Sequence, residues 1–361
     1  MVWSSALEHT RYKPTAIQFS SEIGSIMLVL SRSRHLDDST RYLKVAVLVQ
    51  ARCISVAALL TMKASQTAQD VPGSVGDYKK ASVLQRRLQT AAALYMTVSF
   101  LFGGLAGVLL AGYLLLCTQH SWLAALYLTW LYWVDLDACD RGGRRVHWVR
   151  QWRIWRYLAG YFPARLVKTA ELDPRCNYIL GSHPHGVLCA GAFINFATEG
   201  TGFSALFPGI VPHFLTLRFN FWLPFFRDLI MSYGACAVSR ENLLWILTQQ
   251  GTGNAAVVII GGAQEALDAR PGTCLLTLER RKGFVRLALQ CGAHLVPVFS
   301  FGENDIFDQV HNPPGSGLRM IQELVKRWIG VAPVLFHGHG LLPFRAQIVT
   351  VGPAPQQRIR S

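Results

Sequence analysis

Charge is scarce in this chain of 361 residues: 16% are Asp, Glu, Lys or Arg, against 51% apolar. So apolar a composition is unusual for a freely soluble enzyme. The scarcity is also uneven, because the 44 residues from Ala91 to Val134 contain no Lys, Arg, Asp or Glu. One membrane span takes roughly 20 residues, so the run predicts two helices, with a break near the CTQHS stretch at 117–121. Cysteine pairing patterns are missing as well. Eight cysteines (53, 117, 139, 176, 189, 236, 274 and 291) are scattered without a CxxC. That excludes a disulfide framework and a zinc-ribbon spacing, and predicts reduced thiols facing the cytosol. No cleavable signal peptide opens the sequence. Acidic residues are outnumbered 21 to 35, giving a net charge of +14. This suits an anionic membrane surface or a phosphate-bearing substrate. No DNA- or RNA-binding motif accompanies the charge, so nucleic acid is not expected as a partner.

Positive residues flank the apolar run on both sides: Lys79, Lys80, Arg86 and Arg87 before it, Arg141, Arg144 and Arg145 after it. An even number of spans with such flanks places both ends in the cytosol. The chain therefore divides into an arm at 1–78 without an assigned role, a transmembrane hairpin at 79–134, and a cytosol-facing domain at 135–361. The arm holds an apolar patch at 43–60 and a linker-like stretch before Lys80, and is expected to be loosely attached. In the segment 140–163, Arg144, His147, Arg150, Arg153 and Arg156 recur every third residue beside Trp148, Trp152 and Trp155. A helix there carries a basic stripe next to a tryptophan stripe, suited to a bilayer interface or to packing on the domain.

Beyond this point short apolar runs alternate with helical patterns. NYILG (177–181), AAVVIIGG (255–262) and AHLVPVFSFG (293–302) predict buried strands ending in Gly-rich turns. Residues 241–250 and 281–292 predict helices. The alternation predicts an α/β domain with a largely parallel sheet flanked by helices. Sites in such sheets gather beyond the carboxyl ends of the strands, where both HPHG (His183, Pro184, His185, Gly186) and GGAQE (Gly261 to Glu265) fall.

Three chemistries fit the two histidines. An HxH pair at a strand end can ligate a metal, and His337 and His339 form a second such pair; a metal-dependent hydrolase is the alternative this supports. Carboxylate ligands at convincing spacing are missing, so no metal is expected. Histidines can also serve structure alone, bonded to nearby carbonyls. In the third reading one imidazole is a general base whose tautomer is fixed by a carboxylate, and Glu265 is the candidate partner. A lipid-binding protein without catalysis is a further alternative. Cys189 and Cys236 lie near the motifs without an activating partner and are expected in the core.

Together YILGSHPHG, FPGIVPHF, LPFFRDLIMSYGACAVSR, VVIIGGAQEALDARPG and RRKGFVRLALQCGAHLVPVFSFGEND resemble the type 2 diacylglycerol acyltransferase family. Within it they look most like the acyl-CoA:monoacylglycerol acyltransferases. The likeness runs from about Leu84 to about Pro355. It implies a multi-pass protein of the endoplasmic reticulum membrane whose domain moves a fatty acyl group from acyl-CoA to a glyceride hydroxyl. Monoacylglycerol is the expected acceptor, and diacylglycerol or a long-chain alcohol the alternative within the family. The resemblance assigns the base to the HPHG block, placed here at His185, with Glu265 as its acidic partner and His183 shaping the site. Acyl-CoA is a co-substrate in this scheme, and no cofactor is implied. Pro184, Gly186, Gly261 and Gly262 would form the substrate-binding turns. Arg240, Arg280, Arg281 and Lys282 are candidates for the CoA phosphates. The aromatic stretch 207–226 is expected to line an acyl passage or to meet lipid. Two features depart from the family pattern: His339 stands where an arginine is usual, and the C-terminal end is expected to be short. A homo-oligomer is left open.

Overall fold

Seven strands form the central sheet of the computed structural model, which describes residues 82–352. The arm assigned to residues 1–78 lies outside the described residues. The strands are β1 (Arg165–Val167), β2 (Tyr178–His183), β3 (Val211–Thr216), β4 (Ala235–Ala237), β5 (Asn254–Ile259), β6 (His294–Phe301) and, after a separate two-stranded ribbon, β9 (Val349–Val351). The ribbon pairs β7 (Asp308–Gln309) with β8 (Phe336–His337). Strand order is β1-β9-β6-β2-β5-β3-β4. The run from β6 to β4 is parallel, and β9 joins β6 antiparallel, so one edge pair runs against the rest. The three strands expected from the sequence are β2, β5 and β6, the middle of the sheet. Every residue of β2 is buried, as expected of a strand covered by helices on both faces.

Eight helices matter for the site: α1 (Val83–Cys117), α2 (Ser121–Trp133), α3 (Arg153–Tyr161), α4 (Phe226–Ser232), α5 (Arg240–Thr248), α6 (Gly262–Asp268), α7 (Gly283–Cys291) and α8 (Gly317–Ile329). The apolar run breaks where expected, between Cys117 and Ser121, but not into equal halves. α1 has 35 residues and α2 has 13, about 52 Å and about 20 Å at the usual helical rise. Among the described residues only α1 is long and apolar enough to cross a membrane. α2, where the sequence leads one to expect a second span, falls short of a hydrocarbon core of about 30 Å. The break at 118–120 leaves only 121–134 of the apolar run for α2, while α1 takes the rest of it and extends back to its Ser82 cap.

α1 does two jobs along its length. Near its start Gln89, Ala92, Ala93 and Met96 are buried, and Gln89 Oε1 accepts a hydrogen bond from Arg345 at 2.8 Å. Midway, a Cβ on Gly107 would lie 2.2 Å from the Pro224 carbonyl oxygen, so this approach requires glycine. Further on the apolar side chains turn outward, and Leu116 is 82% exposed. α2 is tied down at its far end, where Asp135 pairs with Arg144 at 2.7 Å and with Arg227 at 2.5 Å.

The basic and tryptophan stripes at 140–163 are not carried on one helix. The segment breaks at Gln151 between a single turn (His147–Arg150) and α3. Arg150 is buried and donates to the carbonyls of Phe196, Ala197 and Tyr233 at 2.9, 2.9 and 2.8 Å. Those carbonyls have to be satisfied somewhere, and guanidinium supplies the donors. Trp155 is likewise core, edge-on to Phe193 and Tyr233. His147, Trp148, Arg153 and Arg156 stay exposed, so packing claims only part of the two stripes.

Candidate active site

Parallel register brings three distant segments to one edge of the sheet. Ser182 of β2 lies opposite Ile259 of β5, and His183 lies opposite Phe299 of β6. The chain leaves these strands as His183–Gly186, Gly261–Glu265 and Gly302–Glu303, all at carboxyl ends. There His183 Nδ1 donates to Glu265 Oε1 at 3.0 Å, with both side chains buried. The same carboxylate accepts from the backbone N–H of His185 at 2.9 Å and of Thr277 at 2.8 Å. Burial alone would raise the Glu265 pKa. The hydrogen bond from His183, with the two backbone donors, outweighs it and holds the group below the usual carboxylate range. Glu265 is therefore an anion at neutral pH. Its acceptance at Nδ1 leaves the lone pair of His183 on Nε2, an atom that is buried and without a hydrogen-bond partner among the described residues.

The ring paired with Glu265 is thus His183, whereas the expectation put His185 there. His183 is the last residue of β2, fixed opposite the strand whose continuation carries Glu265. His185 lies two residues outside the sheet and offers the carboxylate its backbone N–H instead. Its ring Nδ1 donates to the Gly186 carbonyl at 2.9 Å and lies 3.3 Å from Cys189 Sγ. Burial lowers the His185 pKa, against the opposing pull of that carbonyl and of Glu265, so the ring is neutral at pH 7. Two glycines leave room for the buried carboxylates around HPHG, Gly261 for Glu265 and Gly186 for Glu303. A Cβ on Gly261 would sit 1.8 Å from Glu265 Cδ, and Gly186 has φ +60° with Glu303 Cγ 2.7 Å from where its Cβ would be.

Glu303 is a residue that the sequence reading left without a role. It is buried, and its two oxygens accept from the N–H groups of Ala190 and Gly191 at 2.7 and 2.6 Å. These bonds hold the chain just after HPHG against the end of β6. The signal was present in FGEND, an acid placed directly after the glycine that ends a buried strand. Burial pushes the Glu303 pKa up to about 7, against the lowering effect of the two N–H bonds. From about pH 5 to about pH 7 the unfolded chain has released this proton while the folded chain keeps it. Stability is therefore lost as pH rises, by at most about 1.4 kcal/mol per unit, and the loss levels off above the folded pKa. Glu303→Gln does not titrate. Its thermal stability relative to the native chain is expected to rise across that window; a pH-independent difference would contradict the buried acid.

The remaining expected residues separate. Arg281 Nη2 donates to the Gly261 carbonyl at 3.1 Å, and Arg281 and Lys282 precede α7. Arg280 is exposed on the same loop. Arg240 lies at the other end of α7, 3.4 Å from Gln290, about 12 Å of helix rise away, and is not gathered with them. His337 belongs to the β7–β8 ribbon, and His339 meets Phe344 edge-on. Among the described residues no three His, Cys, Asp or Glu side chains are arranged to hold a metal. Cys189 and Cys236 are buried thiols; burial raises both pKa values, that of Cys236 to about 12. Neither is a thiolate at neutral pH. An apolar cavity of about 70 Å³ lies between α1 and the sheet, lined by Tyr95, Met96, Trp155, Leu188, Phe214 and Phe226 among others. Leu188 places it next to the HPHG turn. Of the aromatic stretch, Phe214 and Phe226 line this cavity, Phe207 and Phe221 are core, and Phe219 and Trp222 are exposed.

The fold and site define an α/β protein with a histidine–carboxylate pair at its strand ends and an apolar cavity beside it. Residues 113–359 match the profile of the Diacylglycerol acyltransferase family. Diacylglycerol O-acyltransferase 2 of Xenopus tropicalis is 49% identical over 280 residues, covering 75% of this chain and 77% of that protein. 2-Acylglycerol O-acyltransferase 1 of Bos taurus is 49% identical over 276 residues, 74% of this chain and 82% of that protein. Human diacylglycerol O-acyltransferase 2 is 45% identical over 278 residues, 75% and 71% of the two chains. No solved structure matches the chain. The chain belongs to the diacylglycerol acyltransferase family. It is an acyltransferase of lipid synthesis, and the one long apolar helix among its described residues agrees with membrane association.

Proposed function

We propose that this protein transfers a fatty acyl group from acyl-CoA to the hydroxyl of a monoacylglycerol, giving diacylglycerol on the route to triacylglycerol. The observation that carries the reading is the buried His183–Glu265 pair, with its basic Nε2. An alcohol is a weak nucleophile, so His183 Nε2 takes its proton as the oxygen attacks the thioester carbonyl carbon. Glu265 offsets the imidazolium charge that forms. N–H groups of the Gly186 turn stabilise the tetrahedral oxyanion. The carbon–sulfur bond then breaks and CoA leaves as its thiolate. Neither metal nor covalent acyl-enzyme enters this sequence. The apolar cavity at Leu188 receives the start of the acyl chain. Arg281 and Lys282, at the N-terminus of α7, take a CoA phosphate. The second reading, diacylglycerol as acceptor, is favoured by the frog relative's name at the same 49% identity. Microsomes carrying the protein, given labelled oleoyl-CoA and each acceptor in turn, separate the two by the lipid product. No acylated glyceride in either case would reject both.

We further propose that the enzyme sits in the endoplasmic reticulum membrane with the catalytic domain facing the cytosol. Both ends of the α1–α2 hairpin are fastened to one domain, through Gln89–Arg345 at the start and Asp135–Arg227 at the end. The hairpin therefore dips into the bilayer and returns to the same side, in keeping with its positive flanks. Tags placed before Ser82 and after Arg145 are both expected to be cleaved by protease in intact microsomes. Protection of either one would overturn this topology.

A further inference from the structure

α8 is turned the opposite way from an ordinary surface helix. Three of its polar side chains, Arg319, Gln322 and Lys326, face the protein. Arg319 and Gln322 are buried. Arg319 pairs with Asp268 at 2.8 Å and Glu323 at 2.9 Å, and donates to the Leu267 carbonyl at 3.2 Å. Gln322 accepts from Asn312 at 2.7 Å, and Lys326 Nζ donates to Gln264 Oε1 at 2.5 Å. Its apolar side chains face away: Met320, Ile321, Leu324 and Trp328 are 64%, 61%, 53% and 81% exposed. At 100° per residue these four positions fall within an arc of about 100°. A surface helix ordinarily buries such an arc and exposes its polar side.

We propose that this arc lies in the headgroup–acyl boundary of a phospholipid bilayer, making α8 a second, interfacial anchor distinct from the α1–α2 hairpin. With 13 residues the helix is about 20 Å long, too short to span but long enough to lie flat. Trp328 ends the arc, and exposed Arg327 sits at its margin, where a long cationic side chain reaches up to headgroups. The chain's net charge of +14 complements an anionic leaflet. α1 of the same chain, long and apolar enough to cross a membrane, keeps the domain within reach of one. The polar side of α8 is bonded to Gln264, Leu267 and Asp268 of α6, the helix that carries Glu265. Docking the arc thus fixes the height of the His183–Glu265 pair relative to the lipid surface.

The test places benzoylphenylalanine at position 320, and separately at Glu323, which is exposed on the helix flank outside the arc, in the full chain. The protein is reconstituted in vesicles of phosphatidylcholine and phosphatidylserine with labelled phosphatidylcholine, and in parallel in microsomes. Irradiation is expected to give several-fold more lipid adduct at 320 than at 323. Equal labelling, no adduct at 320, an adduct to a second copy of the chain, or an adduct to another microsomal protein would each overturn the proposal. The same measurement at Leu324 replaces the first if the 320 variant does not accumulate.

Discussion

His183→Ala is expected to lower turnover by about 10²–10⁴-fold, the span typical of a lost general base, with the protein still present in membranes. The two histidines of HPHG are not equivalent. Each donates from Nδ1 and so keeps its lone pair on Nε2, but the partners differ: His183 faces a carboxylate at 3.0 Å, His185 a backbone carbonyl at 2.9 Å. A charge-assisted bond gains strength when the ring becomes cationic, whereas a carbonyl offers far less. His185→Ala is therefore expected to cost much less than His183→Ala. Turnover per molecule with oleoyl-CoA and monoacylglycerol, at matched abundance, checks the order. The reverse order would return the base to His185, where the motif alone had placed it.

The second large effect is expected at Glu265. Its carboxylate accepts three N–H donors, from the His183 ring, His185 and Thr277. A glutamine has one acceptor oxygen, and its amide nitrogen must face at least one of those donors. A buried N–H left without a partner costs about 1–3 kcal/mol. Losing the negative charge also removes the stabilisation of the imidazolium formed in the reaction. Glu265→Gln should thus lower kcat by roughly 10²–10⁴-fold, the upper end being the scale seen when such an orienting acid is neutralised. KM for acyl-CoA is expected to change little, because no CoA contact is assigned to this residue. A variant with unchanged kcat would separate the pair from the chemistry even within this family.

Much of the site was legible because its parts are local. HPHG and GGAQE announce themselves as polar clusters ending buried apolar runs, and two glycines before an acid mark a tight turn into a helix. The pairing itself was not legible. Which of the two rings meets Glu265 is decided by where β2 ends beside β5: His183, 82 residues before Glu265, is the last residue of the strand, whereas His185 lies past it in the turn. Glu303 escaped notice for a related reason: its partners are backbone N–H groups of another loop, which leave no mark in side-chain identity.

By itself the sequence determined the strand–helix alternation, the break in the apolar run at 117–121 and the clustering of motifs at strand ends, because periodicity and turn chemistry are short-range properties. Tertiary structure decided what those patterns are for. In the helix 317–329 only packing shows that Arg319 and Gln322 face inward and Trp328 outward. Arg150 and Trp155, which have the look of an interfacial stripe, are core because distant carbonyls and aromatic rings claim them. The apolar run spells out two helices; their lengths of 35 and 13 residues follow from a cap and from contacts with the domain. Periodicity records which residues share a face, while the direction that face takes is fixed by the burial and hydrogen bonding of its neighbours.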